Sequence, residues 1–265
     1  MSGYGAGGNG RLKGKVAIVT GGASGIGESV AHLFADHGAR MVVIVDIQDD
    51  LGNKVAESIG AHRCTFIHCD VSDENQVKTT VESTVQKFGQ LDVMFSNAGI
   101  LSCSEQTQTV LDLDISGFDR LFAINVRGMA LCVKHAARAM VEGRVRGSIV
   151  CTAGVKASCG GKVCTDYVMS KHAVLGLVRS ASVQLGTYGI RVNSVSPSMV
   201  PTPMTCHALG MEVEDVEKVS QMLAHLKGVA LKPRHVADAV LFLASDDSDF
   251  ISGVDLAVDG GYIVS

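Results

Sequence analysis

The feature that most constrains this chain is a series of short runs that are apolar at almost every position. Residues 16–20 (VAIVT), 41–46 (MVVIVD) and 147–152 (GSIVCT) are three of these runs. A strand with one exposed face alternates apolar and polar residues, whereas a strand that is apolar throughout is buried on both faces. Longer amphipathic stretches lie between the runs. This alternation predicts right-handed strand–helix–strand units and therefore an α/β fold with a doubly wound parallel sheet.

The same pattern gives the order of the elements along the chain. Predicted strands cover residues 16–20, 41–46, 64–70, 91–96, 147–152, 190–196 and 255–258, and predicted helices cover residues 28–37, 53–59, 74–88, 116–142, 167–185 and 234–243. No Pro/Ser-rich linker and no internal repeat divides them. We expect a flexible N-terminus at residues 1–11 and a single domain at residues 12–265, with a small substrate lid at residues 204–227.

The composition excludes several classes of protein. Of the 265 residues, 46% are apolar and 19% are charged, and the net charge of −4 offers no basic surface for nucleic acid or an anionic membrane. No apolar run reaches the ~18 residues of a membrane span. The Gly-rich residues 1–10 resemble neither a secretory signal nor a transit peptide, and the eight cysteines lack zinc-site spacing. We therefore expect mostly buried free thiols, no metal and a cytoplasmic location.

A glycine-rich sequence joins the first predicted strand to the first predicted helix. It reads Thr20-Gly21-Gly22-Ala23-Ser24-Gly25-Ile26-Gly27. Its glycines permit a tight turn, close approach of a pyrophosphate group and packing of the helix on the sheet, while the first N–H groups of the helix face the phosphates. The preceding strand and the following helix favour a dinucleotide site of the Rossmann type over a turn that binds nothing.

Residues at the ends of the next three strands complete this predicted site. Asp46 ends the second strand, 19 residues after Gly27. A carboxylate in this place accepts hydrogen bonds from ribose hydroxyls and repels a 2′-phosphate, so it favours NAD over NADP. A simple cap of the strand end is the alternative role for Asp46. Further cofactor contacts are predicted for Ile47, Asp70, Val71, Asn97, Ala98 and Gly99.

A tyrosine and a lysine form the candidate catalytic pair. Tyr167 and Lys171 are four residues apart, so they share one face of a predicted helix. A free tyrosine has a pKa of about 10 and is a poor base at neutral pH. A nearby ammonium group stabilises the phenolate and is expected to lower that pKa. Such a pair transfers a proton to or from an alcohol or a carbonyl, and the lysine also reaches a nicotinamide ribose.

These motifs resemble those of the short-chain dehydrogenase/reductase family over residues 12–262. The matching segments are TGGASGIG at 20–27, NAG at 97–99, YVMSK at 167–171 and VDGG at 258–261. The resemblance implies a catalytic tetrad of Asn, Ser, Tyr and Lys. Asn125 would be the Asn that kinks a helix and holds a proton-relay water, and Tyr167 and Lys171 would be the last two members. The resemblance also implies a homotetramer formed through the helices at 116–142 and 167–185.

The chain departs from the family pattern at the serine of this tetrad. The serine position lies 13 residues before Tyr167 and is occupied by Gly154. Loss of one such hydrogen-bond donor typically costs about 10²–10³ in rate, or ~3–4 kcal/mol. Thr152 and Ser158 are neighbours that could substitute, and along an unbroken strand Thr152 would point to the same face as Gly154. Lys156 also lies here, and we interpret it as a solvated loop charge.

The segment after the sixth predicted strand carries the remaining candidates. Ser198 stands where the family has Gly, Val200 is placed to bond a carboxamide through its backbone, and Thr202 is placed to bond the carboxamide or the pyrophosphate. The lid that follows is rich in apolar residues, namely Met204, Leu209, Met211, Met222 and Leu223. They predict a small apolar substrate, although packing among the helices of the lid itself explains them equally well.

Within the family, the chain resembles the plant monoterpenoid branch through SIVCTA, IRVNSVSP, LKGVAL and DLAVDGG. That branch includes NAD-dependent isopiperitenol dehydrogenases and nepetalactol-related enzymes, some of which cyclise 8-oxocitronellyl enol without net redox change. Three hypotheses follow: a cyclase that holds NAD without turning it over, an NAD-dependent dehydrogenase of a cyclic monoterpenol or lactol, and a silent NAD-binding scaffold. The glycine at 154 favours the first, and the intact Tyr–Lys pair disfavours the third.

Overall fold

The computed structural model describes residues 10–101 and 108–264 of the chain. In these residues the strands are β1 Val16–Thr20, β2 Met41–Asp46, β3 Cys64–His68, β4 Val93–Ser96, β5 Ser148–Thr152, β6 Arg191–Pro197 and β7 Asp255–Val258. The α-helices are α1 Gly25–Asp36, α2 Asp49–Ile59, α3 Glu74–Phe88, α4 Ile115–Phe122, α5 Met129–Glu142, α6 Thr165–Leu185, α7 Pro203–Leu209, α8 Val213–Leu223 and α9 Pro233–Ala244. The predicted alternation of strands and helices is confirmed.

The strands form one parallel sheet in the order β3-β2-β1-β4-β5-β6-β7. Ile18 of β1 pairs with Val43 of β2 on one side and with Met94 of β4 on the other. The chain therefore changes direction across the sheet after β3, because β4 lies beside β1 and not beside β3. In such sheets ligands bind at the switch, outside the carboxyl ends of the strands.

Apolar side chains fill the space on both faces of the sheet. One cluster joins the sheet to α1, α2 and α9 and includes the fully buried Phe34 and Phe95. The other joins it to α3, α5 and α6 and includes Met140 and Ile149. Replacing a buried phenylalanine by alanine typically costs ~3–5 kcal/mol. The sheet is therefore a firmly packed support for the side chains at its carboxyl edge, as the apolar runs predicted.

Helix boundaries differ from the sequence prediction at the N-terminal ends. α1 begins three residues and α2 four residues earlier than expected, at Gly25 and Asp49. Asp49 and Asp50 lie in the first turn of α2, where negative charge is favourable. The helix predicted over residues 116–142 is continuous in space but is interrupted by a π-helical turn at Ala123–Gly128. Such turns occur frequently at functional sites.

The predicted lid consists of α7 and α8. Thr202 caps α7 by accepting a hydrogen bond from the N–H of Thr205 at 3.3 Å, and Gly210 ends the helix in the left-handed conformation. After α8, the N–H groups of His225 and Leu226 both donate to the carbonyl of Gly260 at 2.9 Å. The second end of the lid is therefore tied to the segment that follows β7.

Residues 1–9 of the predicted flexible N-terminus lie outside the described residues, and Arg11 forms an ion pair with Asp247 at 2.9 Å. In the described part of the chain, no helix is both long enough and apolar enough to span a membrane. The same part holds no cluster of three or more His, Cys, Asp or Glu side chains suited to a metal ion.

The cysteines follow the expectation with one exception. Buried free thiols occur at Cys64, Cys69, Cys132 and Cys151, and half-buried ones at Cys159 and Cys206. Burial raises the pKa of Cys151 to about 12, so this thiol stays protonated and packs as a small apolar group. Cys164 is disulfide-bonded, which the cysteine spacing did not predict. Cys103 lies outside the described residues.

Candidate active site

The glycine-rich turn connects β1 to α1 beside the switch in strand order. Ser24 precedes the first residue of α1, and its side chain makes no capping hydrogen bond. The first N–H groups of the helix are thus not satisfied by that side chain, which is the usual arrangement for binding phosphate. Gly27 packs so tightly that a Cβ atom there would overlap the carbonyl oxygen of Gly21. Ile26 packs on the apolar cluster beneath. The turn has the predicted form and fits a pyrophosphate group.

Asp46 lies at the end of β2 and is bonded to this turn. One carboxylate oxygen accepts the N–H of Ala23 at 3.1 Å, and the other accepts the N–H groups of Ile47 and Gln48 at 2.8 and 3.1 Å. The residue is only 8% exposed. These bonds fix the carboxylate beside the glycine-rich turn, and its role towards a ribose stays a prediction. The side chain of Ile47 is 60% exposed and gives the edge of this site an apolar surface.

The predicted residues after β3 are ordered by their own hydrogen bonds. Oδ1 of Asp70 accepts the N–H of Ser72 at 2.8 Å and the hydroxyl of Ser72 at 2.7 Å. Val71 is buried, and a Cβ atom at Gly128 would lie 2.9 Å from its side chain. Asp70 and Val71 therefore have fixed positions near the end of the sheet.

The predicted residues after β4 are locked onto the end of β1. The hydroxyl of Thr20 accepts the N–H groups of Asn97 and Ala98 at 2.8 and 3.1 Å, and the side-chain amide of Asn97 donates to the carbonyl of Thr20 at 3.0 Å. A Cβ atom at Gly99 would lie 3.2 Å from Oδ1 of Asn125. A small residue at 99 therefore leaves room between the cofactor side and the catalytic side of the site.

The segment after β6 comes back to the glycine-rich turn. The methyl carbon of Thr202 lies 3.1 Å from the position that a Cβ atom would take at Gly25. The N–H of Thr202 donates to the carbonyl of the buried Val200 at 2.9 Å. The N–H of Ser198 donates to the carbonyl of Val258 at 3.3 Å. The predicted contact residues Val200 and Thr202 therefore lie on the same side of the site as the turn.

Tyr167 and Lys171 lie together on α6, with Nζ of Lys171 5.3 Å from the centre of the tyrosine ring. The predicted lowering of the tyrosine pKa is wrong: burial raises the pKa of Tyr167 to about 12. Burial also lowers the pKa of Lys171 to about 8. The ammonium group lies over the ring and donates to the carbonyl of Thr152 at 3.1 Å, so loss of hydration dominates both groups. At neutral pH, Tyr167 is therefore a neutral phenol suited to donating a hydrogen bond.

Asn125 lies in the π-helical turn Ala123–Gly128, where the helix departs from regular α-helical geometry. Its Oδ1 accepts the N–H of Ile100 at 2.8 Å, and its Nδ2 donates to the carbonyl of Ile100 at 2.9 Å and to the hydroxyl of Ser170 at 3.3 Å. Ser170 in turn donates to the carbonyl of Tyr167 at 2.8 Å. Asn125 thus connects the segment after β4 to α6, and its role towards a relay water stays a prediction.

Gly154 occupies the position that faces the phenol. Its φ of 145° lies in a region that residues with a Cβ atom rarely adopt. A Cβ atom there would lie 3.7 Å from the carbonyl oxygen of Pro197 and 4.0 Å from the phenolic oxygen of Tyr167. Space therefore exists for a side chain directed at Tyr167, but the backbone conformation disfavours one.

The candidate substitutes for the serine make other contacts. The hydroxyl of the buried Thr152 donates to Oδ1 of Asn97 at 3.0 Å. Because β5 ends at Thr152, strand alternation does not extend to Gly154. Ser158 is exposed after the short 3₁₀ turn Val155–Ala157. Nζ of Lys156 donates to the carbonyl of Gly160 at 3.4 Å, at the surface of the loop.

The apolar residues of the lid are only partly covered by protein. Met204 and Met222 are 41% and 79% exposed, and Leu209, Met211 and Leu223 are half-buried. Packing within the lid therefore does not account for all of them. The exposed side chains leave apolar surface on a segment that starts directly after Thr202.

Sequence reasoning missed three buried hydroxyl groups that hold the site together. They are those of Thr20, Ser170 and Ser196. For Thr20 and Ser196, a polar residue inside an apolar strand was the available signal, because a buried hydroxyl needs a partner. The partner of Ser196, Asp255, lies 59 residues further along the chain, so the pairing is not readable from local sequence.

Comparison with known proteins gives the class to which this fold and site belong. A family profile described as enoyl-(acyl carrier protein) reductase matches residues 21–263. A short-chain type dehydrogenase/reductase from Mycobacterium marinum has a TM-score of 0.86 and 32% identity, over 96% of this chain and 97% of that chain. The chain belongs to the short-chain dehydrogenase/reductase family, whose members typically bind NAD or NADP.

Two relatives with high identity carry names from monoterpenoid chemistry. A (+)-cis,trans-nepetalactol synthase of Nepeta racemosa is 60% identical over 254 residues, which are 95% of this chain and 94% of that protein. A (−)-isopiperitenol/(−)-carveol dehydrogenase of Mentha piperita, named as mitochondrial, is 56% identical over 251 residues, with 95% and 94% covered. The predicted resemblance to the plant monoterpenoid branch is confirmed, and that branch contains both a synthase and a dehydrogenase.

Proposed function

We propose that the protein is a monoterpenoid cyclase that forms nepetalactol from 8-oxocitronellyl enol and holds NAD without turning it over. The observation that carries this proposal is Gly154, which stands opposite the phenol of Tyr167 where the family has a serine. The hydroxyl of Thr152 is engaged with Asn97 and does not fill the gap. Loss of such a donor slows carbonyl chemistry by about 10²–10³. A cyclisation depends more on folding the substrate, and positioning supplies ~7–11 kcal/mol.

Tyr167 and Lys171 have a role in such a cyclisation. With a pKa of about 12, Tyr167 stays protonated and donates a hydrogen bond to the aldehyde oxygen of the folded substrate. Lys171 is buried and donates a hydrogen bond to the carbonyl of Thr152, and its ammonium group packs against the ring of Tyr167 and supports the position of the phenol. The reaction is an isomerisation, and the hydrogen atoms and electrons of the enol are conserved in the product.

The residues around the glycine-rich turn support NAD as the dinucleotide. When bound, NAD supplies a hydride acceptor and an aromatic surface beside the substrate. Asp46 offers a fixed carboxylate for the ribose hydroxyls and repels a 2′-phosphate. The first turn of α2 adds Asp49 and Asp50, which are also unfavourable to a phosphate.

The lid supports a small apolar terpenoid as substrate. Met204 lies in the first turn of α7, two residues after Thr202, and its side chain is 41% exposed and available to an apolar ligand. Methionine side chains adapt to irregular hydrocarbon shapes. Closure of α7 and α8 over the substrate would also exclude water, which protects the reactive enol from other reactions.

A homotetramer formed through α4, α5 and α6 is part of the proposal. Apolar side chains are exposed on these helices, among them Ile115 and Val183 at 61% and 79%. Exposed apolar surface of this kind is often covered in an oligomer. Light scattering on the purified protein would give the mass of the assembly, and a monomer would contradict this part.

The second candidate function is an NAD-dependent dehydrogenase of a cyclic monoterpenol or lactol. The observation in its favour is the intact pair of Tyr167 and Lys171, together with the lowered pKa of Lys171, about 8, which suits proton transfer near neutral pH. In that reaction the alcohol becomes a carbonyl, NAD becomes NADH and one proton is released. The same pair disfavours a silent scaffold, which has no need for it.

The test uses the purified protein with NAD and the enol, and it measures the yield and the stereoisomers of nepetalactol. We expect a ratio of isomers that differs from the reaction without protein, and we expect Tyr167→Phe to return the ratio towards that background. A ratio equal to the background would contradict the cyclase. Nepetalactol and isopiperitenol are offered in separate reactions, where formation of NADH would support the dehydrogenase.

A further inference from the structure

A buried hydroxyl connects Gly154 to the last strand of the sheet. Ser196, near the end of β6, is 0% exposed. Its Oγ accepts the N–H of Gly154 at 3.1 Å and donates to the carboxylate of Asp255, 2.8 Å from Oδ1 and 2.9 Å from Oδ2. A serine hydroxyl carries one proton and two lone pairs. Since the carboxylate takes the proton, the lone pairs of Ser196 are kept for the N–H of Gly154.

This bond lies where the chain leaves the sheet. The N–H of Ala153 still donates to the carbonyl of Val195 at 2.9 Å, which continues the pairing of β5 with β6. At Gly154 the acceptor is a side chain and not the backbone of β6. A buried N–H without an acceptor costs ~1–3 kcal/mol. Ser196 therefore stabilises the point at which the backbone takes the φ of 145°.

Gly154 is anchored through both of its peptide groups. Its N–H is bonded to Ser196, and its carbonyl accepts the N–H of Ala157 at 2.8 Å, which closes the turn Val155–Ala157. The Cβ position of Gly154 lies 4.0 Å from the phenolic oxygen of Tyr167. A small rotation at Gly154 therefore changes the wall of the site that faces the reacting oxygen. Displacements of ~1 Å in such a wall can cost about 10² in rate.

We propose that Ser196, oriented by Asp255, is a positioning residue that sets the distance between the turn at Gly154 and Tyr167, and thereby selects the fold of the bound terpenoid and the stereoisomer that forms. The part of this proposal that concerns the stereoisomer of a cyclised product rests on the proposed function. The same wall would orient an alcohol for oxidation. Ser196 acts through Gly154 and does not itself take part in the chemistry.

Ser194 provides a matched control for Ser196. It lies on the same strand, is also 0% exposed, and its hydroxyl donates to the same Oδ1 of Asp255 at 2.8 Å. Within the described residues, its hydroxyl makes no bond to Gly154. Replacing either serine by alanine removes a hydroxyl that donates to Asp255, but only the change at 196 releases the N–H of Gly154.

The test compares Ser196→Ala, Ser194→Ala and Ser196→Thr with the wild type. Hydrogen–deuterium exchange is measured on peptides that cover residues 150–158, together with the KM for the terpenoid, the isomer ratio and the affinity for NAD. In Ser196→Ala we expect exchange about tenfold faster, a KM roughly 5–10-fold higher and an isomer ratio nearer the background, with NAD affinity within about twofold. Ser196→Thr, which keeps the hydroxyl, should restore these values, and Ser194→Ala should resemble the wild type.

Equal effects of the two alanine variants would overturn the proposal, because they would reflect a general loss of stability. Unchanged exchange at 150–158 in Ser196→Ala would overturn it as well. If Ser196→Ala does not fold, Asp255→Asn replaces it, and faster exchange in the same peptides is again required. If the wild type converts neither the enol nor the alcohols, the proposed function fails, while exchange and the calorimetric affinity for nepetalactol still decide the positioning role.

Discussion

The two halves of the site differ in how closely they keep the family pattern. On the cofactor side, Asp46 accepts three backbone N–H groups and Thr20 ties the end of β4 to β1. On the substrate side, Gly154 has replaced a serine, the backbone has a φ of 145°, and Met222 of the lid is 79% exposed. The residues predicted to hold the cofactor keep the motifs of the family, whereas the predicted catalytic side departs from them at Gly154. This is the arrangement expected if the cofactor serves as a fixed part of the pocket.

The largest effect is expected from Gly27→Ala on the cofactor side. A methyl group at Gly27 overlaps the carbonyl oxygen of Gly21, so α1 must shift away from the turn. Overpacking of this kind typically costs about 1–3 kcal/mol of stability. Because the displaced turn is the one predicted to hold the pyrophosphate, we expect the affinity for NAD to fall by roughly 100-fold. A fluorescence titration with NADH measures the loss. Gly176→Ala in α6 is the matched control, because a Cβ atom there meets no other atom within 4 Å. An equal loss of affinity for NAD in both variants would show that tight packing at Gly27 is not what supports the cofactor side.

The next effect concerns the stability contribution of Lys171. Its pKa in the folded protein, about 8, is below the ordinary value of 10.5, so the unfolded chain holds this proton more tightly. The free energy of unfolding should therefore rise between pH 8 and 10.5, whereas the raised pKa of Tyr167 lowers it between pH 10 and 12. At pH 7, Lys171→Met should be more stable than the wild type by on the order of 2–3 kcal/mol.

Urea denaturation at several pH values checks this prediction. The difference between Lys171→Met and the wild type should shrink as the pH rises from 8 through 10.5, because above that range the lysine is neutral in both states. A difference that stays constant with pH would show that the substitution acts through packing and not through the buried charge.

A smaller effect is expected from restoring a side chain at Gly154. Gly154→Ser and Gly154→Ala should both lose ~1–3 kcal/mol of stability, because the φ of 145° suits glycine. The serine variant should gain some oxidation of nepetalactol or isopiperitenol that the alanine variant lacks, since its hydroxyl would point towards Tyr167. NADH formation and thermal unfolding measure the two effects. If the serine variant gains no oxidation activity, the shape of the pocket and not the missing hydroxyl determines which reaction occurs.

The smallest effect is expected at Asp46. Asp46→Asn keeps an oxygen for the N–H groups of Ile47 and Gln48, but it places an NH2 group where the second oxygen accepts the N–H of Ala23, and it removes the negative charge. The preference for NAD over NADP should fall by roughly tenfold, mainly through tighter binding of NADP. Parallel titrations with the two cofactors give the ratio. An unchanged ratio would show that Asp46 only shapes the turn.

Much of this comparison was predictable from the sequence, and the unpredicted part has a physical reason. The apolar runs and the glycine-rich turn determine the sheet and the cofactor side, because they depend on periodicity and on local backbone sterics. The missing serine was also visible in the sequence, because the position 13 residues before Tyr167 is occupied by Gly154. The direction of the Tyr167 pKa shift was not predictable, because it depends on how far burial removes water from the phenol and where the ammonium of Lys171 lies.

The network behind Gly154 was unpredictable for a different reason. The bond from Gly154 to Ser196 and the bonds from Ser196 to Asp255 join residues that are 42 and 59 positions apart in the chain. Their pairing follows from the order of β5, β6 and β7 in the sheet, and local sequence carries no trace of it. The segment predicted as a lid forms α7 and α8, and the exposure of its methionines depends on how these helices pack in the fold.

The central claim is that the protein binds NAD but does not reduce it during the reaction. The most direct test of this claim is the amount of NADH formed per molecule of product. The protein is loaded with one equivalent of NAD and given an excess of 8-oxocitronellyl enol, and nepetalactol and NADH are quantified in the same sample. We predict many molecules of nepetalactol per bound NAD, with less than one equivalent of NADH, and loss of isomer selectivity when NAD is removed. Nepetalactol with the isomer ratio of the protein-free reaction, or a further oxidised product formed together with one NADH per molecule, would contradict the account.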